Sequence, residues 1–311
     1  MGPRKMKFLA VGLNPVLQKT LIFEQLQPGC INRAESQLAT VGGKSIHFGI
    51  AGNTVDPAST TVAYFRGGET GEYIQQIIDD YQIPHIAVEI PEKTRVCTTL
   101  LCRATGQMTE LIEPSPEIPP TLCDEMRTRV LEALGQFDGI GLCGTWPPGV
   151  GPEFYAEIAA NKGRATLLLD SCHMVEQTLQ TGQVDILKIN ADEIKTLCGT
   201  ADVFAAATAC RERYNIEHVA VTDGPGRAFL WSGNRHWVFD LPALDGLLNP
   251  IGAGDTVAAV MLVKYLAGMT IDEAFAQGLA AASASCMHFL GAKFNAAELS
   301  DMRPSITVTA S

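Results

Sequence analysis

The amino-acid sequence predicts an α/β fold, a mainly parallel sheet with helices on its faces. Short β-branched or apolar runs alternate with segments of helical period through most of the chain, as strand–crossover–strand units do. Hydrophobic residues make up 46% and charged residues 18% of 311 positions, so the chain can bury a sizeable core. A Gly-Ala-Gly-Asp turn at residues 252–255 leads straight into an apolar run ending at Met269, the pattern of a loop feeding a buried helix.

In chain order, the first strand is placed at residues 7–13. Arg4, Lys5 and Lys7 before Phe8 imitate the start of a secretion signal, but the six residues from Phe8 to Leu13 are too few for its apolar core. Further strands are placed at 61–65, 138–143, 166–170, 185–189 and 219–222, each a short apolar or β-branched run. Helices near 71–81, 121–136, 152–161, 191–198 and 201–214 fill the intervals. After Gly252 two long helices follow, the second opening at Thr270, where Thr270 and Glu273 have the spacing of a capping box. Residues 16–40 and 94–112 carry strand character without intervening helices, and predict a small antiparallel sheet covering a cleft. No repeat or linker divides the chain, which reads as one domain over residues 1–311, and residues 304–311 read as a loose tail.

The formal charge of −11 excludes nucleic acid and anionic membrane as partners, because both need a basic footprint. It leaves room for a phosphorylated ligand, which needs only a few local cations and amides. Nine scattered cysteines with no C-x-x-C pair speak against a disulfide framework or a structural zinc site and predict a cytoplasmic protein. Polar residues interrupt the longest apolar helices, so no membrane span is expected. His85, His218, His236 and His288 show no metal spacing and are assigned no role.

Two motifs imitate nucleotide sites. Gly43-Lys44-Ser45 ends like a P-loop, but its first glycine belongs at position 38, which is leucine. Gly139-Ile-Gly141-Leu-Cys-Gly144 matches a dinucleotide fingerprint by letter, yet it falls inside a strand and is followed by Trp146-Pro147-Pro148 rather than a helix. The stretch Gly252-Ala253-Gly254-Asp255 is different. Glycines before a helix leave backbone N–H groups aimed at one spot, where the helix dipole favours an anion. A carboxylate beside them serves as a simple helix cap, or as a proton acceptor next to a phosphate.

Together, Gly42-Gly43-Lys44, Asn190-Ala-Asp-Glu193 and Gly252-Ala-Gly-Asp255 resemble the PfkB carbohydrate kinases of the ribokinase-like superfamily, in order and separation. Leu13-Asn14-Pro15, Asn32-Arg33, Thr94-Arg95, Thr109-Glu110, Pro147-Pro148-Gly149-Val150 and Lys188-Ile-Asn190 are similar to the 1-phosphofructokinase and tagatose-6-phosphate kinase branch. The resemblance implies a doubly wound domain with a β-sheet lid, used in this superfamily for homodimer contact, and transfer of the ATP γ-phosphate to a sugar hydroxyl. It makes Asp255 the general base, with Gly252, Ala253 and Gly254 holding the transferring phosphoryl group. Lys188, Asn190, Glu193, Thr222, Gly224 and Gly226 become the nucleotide side, with Asn190 and Glu193 orienting Mg2+ through water. Gln18, Arg33, Gly43, Lys44, His47, Arg95 and Thr145 become the side for a sugar phosphate, the cations forming a phosphate clamp.

The departures from the family pattern gather on the acceptor side. Gln18 stands where an aspartate that binds sugar hydroxyls is usual, and an amide donates at one end where a carboxylate only accepts. Ser45 and His47 replace a glycine and an asparagine. Serine is expected to forbid a positive φ or narrow the sugar's approach, and His47 to bind a hydroxyl or fill space. The expected function is an ATP- and Mg2+-dependent kinase for a hexose-phosphate-class acceptor. The alternatives are a catalytically weakened ligand-binding or regulatory protein on the same fold, and a kinase for an unphosphorylated sugar or a nucleoside.

Overall fold

The computed structural model describes residues 5–246 and 248–310. The chain opens with β1 (Phe8–Val11), then β2 (Val16–Phe23), β3 (Ser36–Gly42), α1 (Lys44–Val55), β4 (Thr60–Arg66), α2 (Gly68–Asp80) and β5 (His85–Glu89). It continues through β6 (Val96–Cys102), β7 (Met108–Ile112), α3 (Pro120–Ala133), β8 (Gly139–Cys143), α4 (Glu153–Ala160), β9 (Thr166–Asp170) and α5 (Glu176–Gln180). Then come β10 (Ile186–Asn190), α6 (Ala191–Cys198), α7 (Val203–Tyr214), β11 (His218–Asp223), β12 (Arg227–Ser232) and β13 (Arg235–Asp240). The last elements are α8 (Ala253–Leu266), α9 (Ile271–Ser285), α10 (Ala296–Met302) and β14 (Thr307–Ala310).

The main sheet runs β14-β13-β12-β11-β10-β9-β8-β1-β4-β5. Pairing is parallel from β5 to β11 and antiparallel from β11 to β14. Strand alternation divides the apolar side chains between the two faces: Phe8 and Ala10 join one core cluster, and Leu9 and Val11 the other. The first face is covered by α1, α8 and α9, the second by α3, α4, α6 and α7. Residues 255–263 of α8 are buried without exception, because the helix lies between the sheet and neighbouring helices; a helix apolar all round is stable only there.

Three expectations change. The second sheet, β3-β2-β6-β7, is mixed rather than antiparallel, since β2 and β6 pair in parallel. Its two hairpins come from distant parts of the chain, and the long connection through α1, β4, α2 and β5 permits parallel pairing. Residues 307–310 are not a loose tail but an edge strand on β13, while Ser311 lies outside the described residues. The capping box at Thr270 does not form, because Glu273 turns instead to Arg303 in two contacts, at 3.0 and 2.5 Å. A fork-to-fork guanidinium–carboxylate pair outcompetes one bond to a backbone N–H. The helix α1, which the sequence reading passed over, begins at Lys44 directly after Gly43, and its weak amphipathicity explains why periodicity did not disclose it.

Candidate functional site

The site forms where α8 begins. Gly252 precedes the helix at φ +83, and a Cβ there would lie 2.9 Å from Nδ1 of His47, so glycine is required both by conformation and by space. The Ala253 N–H closes the turn onto the Pro250 carbonyl at 3.2 Å, and Thr256 starts the intrahelical bonding to Gly252. Among the described residues, the N–H groups of Gly254 and Asp255 have no backbone partner, which leaves them for an anion. A Cβ on Gly254 would meet Nζ of Lys188 at 2.7 Å, so this glycine admits an ammonium group beneath the turn.

Asp255 is buried in the first turn of α8, and its Oδ2 lies 2.9 Å from Nδ1 of His47. Burial alone would raise its pKa. The hydrogen bond from His47 and the charges of Lys44, His47 and Lys188 reverse this, holding the carboxyl below the ordinary aspartate range. Lys44 is affected in the opposite sense: burial disfavours its charge, but Asp170, Asp255 and Glu193 outweigh it and raise its pKa. The centre therefore pairs a committed carboxylate with a committed ammonium.

A cavity of about 420 Å³ opens in front of Asp255. Gln18, Gly43, Lys44, His47, Arg95 and Thr145 line it together with Gly252 and Asp255, so the structure brings these residues together. Its far wall comes from the second sheet, whose Cys97, Glu110 and Ile112 reach the cavity, so that sheet stands over the cleft as a lid. Arg33 is not brought there; it is exposed in the loop between β2 and β3. The cations at this cavity are Lys44 and Arg95. Arg95 Nη2 donates to the Asn14 carbonyl at 3.2 Å, and its buried Nε has no partner among the described residues.

The altered residues behave unequally. Ser45 adopts ordinary helical backbone and donates to the Gly12 carbonyl at 3.1 Å, so it neither blocks a positive φ nor narrows the sugar's approach. The positive φ belongs to Gly43, at +120. Gln18 is buried and donates through Nε2 to Thr99 at 2.6 Å. His47 lines the cavity, yet both its nitrogens are engaged, Nδ1 with Asp255 and Nε2 at 3.2 Å from the Val41 carbonyl.

A second cavity, about 710 Å³, lies on the other side of the α8 start. Asn190, Glu193, Thr222, Gly224, Ala253 and Gly254 line it with the apolar Leu241, Leu244, Val257 and Leu279, a surface suited to a flat base with a phosphate tail. Gly226 and Lys188 line neither cavity: Gly226 sits in the exposed turn before β12, and Lys188 is buried under Gly254. Asn190 caps α6, its Oδ1 accepting from the Glu193 N–H at 2.8 Å while Glu193 Oε2 accepts from the Asn190 N–H at 3.0 Å. The two residues thus form a reciprocal capping box at the start of α6. Glu193 reaches both cavities. Among the described residues no cluster of three or more His, Cys, Asp or Glu side chains could form a metal cage.

Sequence reading missed Asp170. This carboxylate, 1% exposed at the end of β9, lies 3.0 Å from Nζ of Lys44 and 3.4 Å from Nζ of Lys188, and so ties the lining of the first cavity to the floor of the glycine turn. Its Oδ2 is buried without a hydrogen-bond partner among the described residues. Its place at the carboxyl end of a parallel strand, where open α/β sheets bind ligands, was the available signal.

The pfkB family carbohydrate kinase model matches residues 19–295. A tagatose-6-phosphate kinase of Staphylococcus epidermidis is 26% identical over 275 residues, spanning 85% of this chain and 87% of that protein. Phosphofructokinase-2 from Escherichia coli, solved with substrates and products, superposes with a TM-score of 0.87 at 22% identity, over 96% of this chain and 99% of its own. A Thermotoga maritima protein described as a possible 1-phosphofructokinase gives 0.88 at 18% identity, over 98% and 99%. These structural likenesses show a shared fold, and the family match extends from the first lid strand past the last long helix. The protein belongs to the pfkB family of carbohydrate kinases.

Proposed function

We propose that this carbohydrate kinase transfers the γ-phosphoryl group of ATP to a hydroxyl of a hexose-phosphate-class acceptor, with Asp255 as the general base. One observation carries the reading. The start of α8 is the wall between two cavities, with Asp255 turned to the polar one beside Lys44 and Arg95, and Ala253 and Gly254 turned to the apolar one beside Thr222 and Gly224. A phosphoryl group crossing that wall passes the free amides of Gly254 and Asp255.

In the reaction the acceptor O–H breaks and its proton goes to Asp255. The oxygen bonds to the γ-phosphorus, and the bridging P–O electrons leave with ADP. Two aimed N–H groups and the Lys188 ammonium beneath Gly254 stabilise the charge that develops on the equatorial oxygens. Lys44 and Arg95 hold the phosphate already on the sugar. Mg2+ would supply further charge neutralisation on the nucleotide phosphates. The donor set fits this: one oxygen of Glu193 serves the cap, and its carboxylate faces both cavities, enough for an ion held mainly by phosphates and water.

The test measures ADP release across hexose phosphates, free sugars and nucleosides, with Asp255→Asn beside the wild type. Turnover is expected with a phosphorylated acceptor, falling roughly 10²–10⁴-fold in the variant while nucleotide binding persists. Near-normal turnover in Asp255→Asn would remove the base assignment, and a preference for nucleosides would remove the acceptor class.

A further inference from the structure

His47 makes a contact that the acceptor-binding reading leaves unused. The residue is 3% exposed, its ring packed between the glycine turn at Gly252 and Gly291, where an added Cβ would lie 2.9 Å from Nδ1 and Nε2 respectively. Nδ1 stands 2.9 Å from Asp255 Oδ2 and Nε2 stands 3.2 Å from the Val41 carbonyl. A carboxylate only accepts, so Nδ1 donates to Asp255, and Nε2 faces the Val41 carbonyl. Among the described residues Oδ1 of Asp255 has no hydrogen-bond partner, and Asp255 lines the acceptor cavity.

We propose that His47 is the positioning residue for Asp255, occupying Oδ2 so that Oδ1 alone is presented to the acceptor hydroxyl. The inference rests on Asp255 being the base. A carboxylate on a first helical turn is otherwise free to rotate, and a base that samples several rotamers loses much of the advantage of proximity. The second contact matters as well. Val41 belongs to lid strand β3 and Asp255 to α8, so one imidazole ties the base to the strand that leads into Gly43 and Lys44. The proton leaving the acceptor goes to Oδ1, while Nδ1 of His47 keeps its hydrogen bond to Oδ2.

The charged groups around this pair set what removal of His47 does to pH dependence. Lys44 on α1, Lys188 on β10, Asp170 on β9 and the Cys143 thiol on β8 face the centre. Strands β1 and β3 contribute no titratable side chain, Tyr64 of β4 is engaged with Gln75, and Lys293 is exposed. Burial opposes ionisation of Asp255, and the His47 bond is the largest effect opposing burial. Without that donor the carboxyl titrates at higher pH.

Full-length His47→Leu and His47→Asn are compared with the wild type for kcat, acceptor KM and the pH profile of kcat/KM. Asparagine places an amide N–H near the position of Nδ1, so it should recover turnover at least about tenfold relative to leucine, whose kcat falls by up to ~10²-fold. The leucine variant should also move the acid limb of kcat/KM to higher pH, which a merely space-filling role would not do. Unchanged kcat and acid limb in His47→Leu, with Asp255→Asn inactive, would overturn this inference alone; an active Asp255→Asn would overturn the base assignment beneath it. Should the leucine variant not fold, NMR of the wild-type imidazole carries the test: a hydrogen on Nδ1 whose signal changes in Asp255→Asn is expected, and a ring without one refutes the proposal.

Discussion

Lys44 illustrates how one side chain serves fold and chemistry together. It stands first in α1, contacts Asp170 and lines the acceptor cavity, so its ammonium is held by carboxylates on one side and open to an anion on the other. Lys44→Met is expected to raise the KM of a phosphorylated acceptor by about 10–100-fold, the value of one charged hydrogen bond, and to change the KM of ATP much less. Initial-rate kinetics in both substrates check this. For Asp255, the lowered pKa gives the sign of its pH linkage. The stability it contributes is fully present above the ordinary aspartate range and is lost as pH falls through the depressed value. At this scale Asp255, Lys44, Arg95 and Glu193 came to line the first cavity because each lies in a short motif whose local geometry aims it. Arg33 did not, since an exposed loop residue is aimed by nothing in its own sequence.

Among the elements, helix ends decide the most. Capping boxes form where no stronger partner competes, as at Asn190 and Asn295, and the expected one fails at Thr270, where Arg303 draws Glu273 away. The Asn295 cap accepts from the N–H groups of Ala297 and Glu298 and holds α10, which buries Leu299. Asn295→Ala should cost ~1 kcal/mol, a fall of roughly 2 °C in Tm by thermal denaturation, with kinetics unchanged because α10 lines neither ligand cavity. In the parallel half β5 was passed over, while β1, β4, β8, β9, β10 and β11 were legible from short apolar runs. Helix α1 was not, because burial on most sides erases the polar face that periodicity needs.

For the whole molecule, all nine cysteines are free, and no helix among the described residues is long and apolar enough to cross a membrane. The lid leaves β7 exposed along its length, with Leu111 at 55% and Ile112 at 59%. We propose this face as the homodimer contact that the family resemblance implies; Leu111→Arg should then convert a dimer to monomer in sedimentation, whereas a monomeric wild type would dismiss the idea. Sequence alone determined the alternation of most strands and helices and the glycine turn that opens α8 with Asp255 in its first turn, since these depend on residues close together in the chain. Only the tertiary structure decided that β2 pairs in parallel with β6, that Asp170 sits between Lys44 and Lys188, and that His47 faces Asp255 across 208 positions. Such contacts join groups whose separation along the chain carries no period or spacing, and they exist only because the sheet brings the carboxyl ends of its strands to one edge.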